Sequence, residues 1–126
     1  MQGKHLFEYA VIRLVPRVER EEFFNVGVIL YCSKQRFLKA IYEVNVAKLN
    51  ALCLDADCDE LKINLQAFIN ICDGTNGGPI GQLDIASRFR WLTATRSTVV
   101  QCSKVHPGFC DDASEMLAKL HDKLVL

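Results

Sequence analysis

No two cysteines of this chain form a Cys-x-x-Cys pair. The six that occur are Cys32, Cys53, Cys58, Cys72, Cys102 and Cys110, and the closest two, Cys53 and Cys58, have no histidine nearby. No metal is therefore expected. No apolar run approaches the ~20 residues that a membrane span needs. Met1-Gln2-Gly3-Lys4-His5 leads into an amphipathic run and not into a uniform apolar signal segment. The expected location is the cytoplasm, with no membrane association and with reduced thiols that behave as small hydrophobes. An excess of charge is also missing: 15 bases balance 15 acids, so no overall field favours nucleic acid or an anionic membrane. The glycines between Gly74 and Gly81 lack a following Gly-Lys-Ser/Thr, which argues for a helix C-cap and a turn in place of a phosphate loop. His5, His106 and His121 are scattered, and none stands beside a cysteine or serine at a recognised catalytic spacing. Ser97 and Thr98 would act as nucleophiles only if the fold supplied a base.

What the chain does have is the balance of a globular protein, with 50% hydrophobic and 24% charged residues. A length of 126 residues fits one domain, residues 1–126, that buries its own core without disulfides or metal. Charge is uneven locally. Residues 88–104 carry Arg88, Arg90, Arg96 and Lys104 and no acid, whereas residues 55–60 carry Asp55, Asp57, Asp59 and Glu60 and no base.

Alternation predicts a strand over Leu6 to Val15, apolar on both faces and stopped by Pro16. A second strand is predicted from about Phe23 to Cys32, with Phe24, Val26, Val28, Leu30 and Cys32 on one core-facing side and Phe23, Asn25, Gly27, Ile29 and Tyr31 on the other. Ser33–Arg36 is turn-like, and Phe37 to Tyr42 completes an antiparallel hairpin. Asn45 caps a short helix, and a longer one begins near Asp57 with Glu60 three residues on, ending at Gly74. Residues 83–92 are open between helix and loop. Thr98 to Cys102 prefers strand, His106-Pro107-Gly108 reads as a turn, and a last helix starts near Asp112 with His121 as a favourable dipole contact near its end. The expected fold class is α+β, with a mainly antiparallel sheet of about four strands packed by three or four helices.

Tyr9, Arg13, Pro16, then Glu22, Phe23, Asn25, Gly27 and Val28, and later Arg88, Phe89, Leu92, Arg96 and Ser97 carry a pattern that resembles a bacterial family of small proteins, domain of unknown function family 3037. The resemblance covers nearly the whole chain, and Glu-Phe-Phe-Asn-Val-Gly-Val is its most specific part. It implies a bacterial cytoplasmic protein and brings no established catalytic residues. It also implies a protein partner, a kinase of the HipA type.

Two groups of residues carry candidate chemistry. Glu22, Asn25 and Gly27 form a shallow ligand site in one reading, with Asn25 as donor and acceptor, Glu22 as acceptor or base, and Gly27 leaving room. In the other reading Gly27 makes a bulge or lets Arg13 pack over the sheet, while Asn25 and Glu22 satisfy backbone groups. Arg88, Arg90 and Arg96, joined by Arg13, Arg17 and Arg20, suit phosphate or carboxylate, and Phe89 and Trp91 lie between them. In the other reading Arg88 or Arg90 pairs with Glu19, Glu21 or Glu22, while Phe89 and Trp91 help fill the core. The function expected is a non-enzymatic binding or accessory module acting with a protein partner. The alternative is a small enzyme or ligand binder for a phosphate-bearing or nucleotide-like compound, using Glu22, Asn25 and the arginines of 88–96. No cofactor is expected, and zero net charge counts against nucleic acid.

Overall fold

A computed structural model describes residues 3–16, 18–52, 58–94 and 98–126. Arg17, Cys53, Asp57, Arg96 and Ser97 lie outside them, and so do the readings that rest on these residues. β1 (His5–Leu14), β2 (Phe24–Cys32) and β3 (Phe37–Tyr42) come first, with a single 3-10 turn (Val18–Arg20) between β1 and β2. α1 (Val46–Leu52), α2 (Cys58–Asp73), the one-turn α3 (Gly78–Gly81) and α4 (Ile85–Thr93) follow. β4 (Val100–Cys102), β5 (His106–Cys110) and α5 (Ala113–Leu124) end the chain. The architecture is α+β.

The sheet is antiparallel throughout. β1 is its centre: β2 lies on one side, with β3 beyond it, and both β4 and β5 pair with the other side. α1, α2 and α4 cover one face over Ala10, Ile12, Leu14, Ile29, Leu65 and Phe89. α5 covers the other over Phe7, Val28, Leu30, Cys32 and Leu117. Apolar residues on both faces of β1 therefore reflect a strand buried between two helical layers. No helix of the described residues is long and apolar enough to cross a membrane.

Local signals account for the element ends. Asn45 Oδ1 accepts from Lys48 N–H at 3.1 Å, capping α1. Gly74 takes φ +75°, the left-handed value wanted after α2, and donates to Ile71 O. Most of residues 83–92 resolves as helix α4, from Ile85 on, because Asp84 Oδ1 accepts from Ser87 N–H at 2.7 Å and starts it. Asp112 caps α5 through the amides of Ser114 and Glu115.

Three expectations change. Phe24, Val26, Val28, Leu30 and Cys32 do not share a face. Ile12 pairs with Gly27 and Arg13 with Asn25, so Val26 is one residue too many and forms a β-bulge. The extra residue inverts the pleat. Phe24 and Val26 turn to the α2 and α4 side, while Val28, Leu30 and Cys32 turn to α5. Asn25 and Gly27, on either side of the bulge, therefore lie on opposite faces. Second, His106-Pro107-Gly108 is no turn but part of β5, paired with Phe7, Glu8 and Tyr9. Proline is tolerated there because β5 is an edge strand. Third, His121 is buried, in line with Ala113 and Leu117 at i, i+4 spacing on the inner face of α5.

Candidate functional site

Glu22 pairs locally with Arg20, Oε1 to Nε 2.7 Å. Asn25 Nδ2 donates to the Leu124 carbonyl at the end of α5, 3.1 Å, and its Oδ1 is buried without a partner. Gly27 sits opposite Tyr42. A Cβ there would collide with the Ile41 carbonyl and lie 2.8 Å from Tyr42 Cβ. Close packing of β3, together with the bulge, accounts for this glycine.

On the other face, Arg88 Nη1 donates to the Leu83 carbonyl at 2.7 Å, tying the start of α4 to its own loop. Arg90 reaches Glu8 of β1, Nη2 to Oε2 2.6 Å, and its guanidinium carbon is 5.3 Å from the Phe89 ring centre. Glu8 and Arg13 are five positions apart on β1, about 17 Å along the strand, and their side chains point to opposite faces. The structure thus does not gather Glu22 and Asn25 with Arg88 and Arg90 around one cavity.

What it gathers instead is a groove at the end of the sheet beside α4. Two adjoining hollows share Tyr31 and Ser33. One, about 170 Å³, is lined by Leu6, Glu8 and Arg90. The other, about 430 Å³, is lined by Arg36, Asp84, Ile85 and Ala86. Leu6 and Phe109 are directly paired across β1 and β5 and are 51% and 53% exposed. Being opposite one another they share a face, which is also that of Glu8. Tyr31 stacks on Phe89 at 5.3 Å and 28°, so the groove has a fixed aromatic wall. The hydrogen bonds from Ser87, side chain first and backbone second, hold the Asp84 carboxyl below its usual range, with Arg88 adding to the effect. Asp84 is therefore an anion at neutral pH. Arg36 stands on the turn at φ +51° and is exposed.

Leu6, Glu8, Tyr31 and Phe109 were not among the candidate site residues of the sequence. Phe109 belongs to a strand whose Pro-Gly pair imitates a turn, and without it Leu6 reads as one more apolar residue of β1. Arg13, named with the other arginines and as a residue that packs over the sheet, has its guanidinium carbon 4.1 Å from the Phe23 ring centre. A third hollow of about 200 Å³ between α2, α4 and β4 is mainly apolar, with Phe68, Ile71 and Leu92 in its wall.

The architecture is a three-layer α+β fold with an aromatic and charged groove at one sheet end. The chain belongs to the family described as protein of unknown function (DUF3037), whose profile matches residues 9–125. No curated protein and no solved structure matches it.

Proposed function

We propose that the protein is a non-enzymatic binding or accessory module that docks a segment of a partner protein in the groove beside α4. The observation that carries this reading is the exposed Leu6–Phe109 pair beside Tyr31 and the Arg90–Glu8 ion pair. Two large apolar side chains held together in water are unfavourable and gain by being covered. Aromatic residues and arginine around them are the composition of an interface centre. Arg90 is already matched by Glu8, whereas Arg36 at the far end has no ion pair among the described residues. The segment that fits has an apolar side chain for Leu6 and Phe109 and an acid facing Arg36. The phosphate-ligand alternative needs Glu22 and Asn25 beside the α4 arginines, whereas Asn25 and the Glu8 that Arg90 pairs with occupy opposite faces of the sheet. A kinase of the HipA type is one partner to test.

The experiment places a photo-crosslinking amino acid at Phe109 and, as control, at Lys119 on the exposed side of α5. The expected result is one dominant adduct from position 109. Its protein should bind the purified chain one to one and lose binding when Leu6 is changed to Asp. Equal labelling from both positions would overturn the reading, as would binding indifferent to Leu6→Asp.

A further inference from the structure

At the other end of β1, on the α5 face, a guanidinium stands without a counter-ion among the described residues. The Arg13 guanidinium carbon lies over the ring of Phe23, itself 46% exposed, and the Nε is buried with no acceptor. Glu22, next to Phe23 in sequence, is taken by Arg20, and Glu8 by Arg90. The residues directly opposite Arg13 in register are Asn25 on β2 and Gln101 on β4, so both share its face. Neither carries charge. Asn25 Oδ1 is buried without a donor, and Gln101 Nε2 turns away to the Thr98 carbonyl.

A cation stacked on a ring presents its in-plane edge outward, and that edge matches the two oxygens of a carboxylate. Both unpaired atoms are closed to water in the free protein, so a carboxylate reaches the Nε–H as the Arg13 side chain shifts on the ring; it then gives the Nε–H its missing acceptor and leaves Asn25 Oδ1 for an N–H or O–H of the same ligand. The charge balance favours a single negative charge. The C-terminal carbonyls of α5, one of them bonded to Asn25, add negative potential. A dianionic phosphate is disfavoured by it more than a carboxylate is.

We propose that Arg13, Phe23 and Asn25 form a carboxylate-binding site on the α5 face, independent of the groove beside α4. The carboxylate belongs to a small acid or to a peptide terminus. The test follows the Arg13 Nε–Hε resonance of the ¹⁵N-labelled full chain during titration with sodium acetate, against sodium chloride at equal ionic strength. Acetate should give a saturable shift that chloride does not. Gln101→Glu, which sets a carboxylate beside the guanidinium from β4, should weaken acetate binding by about tenfold or more, the effect of losing one charge-assisted hydrogen bond. Arg13→Lys should do the same because it removes the planar edge. If Arg13→Lys fails to fold, Gln101→Glu still decides the matter. An acetylated tripeptide with a free carboxyl end, compared with its amide, separates the two sources of the carboxylate. The proposal is overturned by a shift equal in chloride, by acetate binding unchanged in Gln101→Glu, or by inorganic phosphate binding more tightly than acetate.

Discussion

Ser103 is bonded to Val11 twice: its N–H donates to the Val11 carbonyl at 2.9 Å, and its hydroxyl accepts from the Val11 N–H at 2.8 Å. These bonds bridge the gap along β1 between β4 and β5. Val11 is buried, and its amide has no strand partner on that side. Ser103→Ala removes the acceptor and leaves the amide unpaired, at a cost of about 1–3 kcal/mol. Urea unfolding should show a lower midpoint with an unchanged slope. A variant as stable as the parent would mean that water replaces the hydroxyl.

Gly27→Ala tests the bulge. The added methyl meets the Ile41 carbonyl and the Tyr42 Cβ, the first of which is backbone and cannot rotate away. The expected loss is about 1–3 kcal/mol, typical of overpacking. Tyr42→Gly in the same chain, which removes the Cβ, should recover little of it, because the carbonyl remains. Thermal unfolding of the single and double variants reads the difference. Full recovery in the double variant would place the conflict at the tyrosine alone.

The sheet was readable in the sequence where alternation was unbroken, as in β1 and β3, and the caps at Asn45, Gly74 and Asp112 were readable from residue type. The bulge was not. Phe24 to Cys32 presents unbroken alternation of apolar residues, and nothing in their order says that Val26 is supernumerary. That is decided by pairing with Ile12 and Arg13 on another strand. β5 was hidden because Pro107-Gly108 has the composition of a turn, and only the free side of β1 at residues 5–9 makes it a strand. The groove beside α4 was illegible for the same reason. It joins Leu6, Tyr31, Arg90 and Phe109, brought together only by register and packing. Asn25 was legible as special by its type, but its contact with Leu124 depends on α5.

The Arg90–Glu8 pair should contribute to order in the groove more than to stability. Both side chains are partly exposed, 56% and 27%, so solvent screens the attraction. A double-mutant cycle with Arg90→Ala and Glu8→Ala should give a coupling below about 1 kcal/mol. Binding of a partner segment should fall more than stability does in each single variant. Coupling well above that value would show the pair to be part of the folding core.

Cys72 sets a limit at high pH. Burial pushes its thiol from the ordinary 9.0 up to about 12, the neighbouring Asp73 carboxylate adds to the rise, and Arg88 opposes it. The folded chain therefore holds this proton more tightly than the unfolded chain. Below pH 9 both states are protonated, and the contribution is complete. Between 9 and 12 the unfolded chain releases the proton first, which favours unfolding, so this part of the stability is lost as pH rises. The limiting slope for one proton is about 1.4 kcal/mol per pH unit. Urea unfolding at a series of pH values from 8 to 10.5 should show stability falling less steeply in Cys72→Ala than in the parent, even though the variant is less stable at every pH because it leaves a cavity. The comparison cancels the tyrosines, lysines and other cysteines, among them Cys110, whose thiol is also raised by burial. Identical slopes would mean that Cys72 is as free to ionise in the fold as in the open chain, and that α2 does not seal it from water.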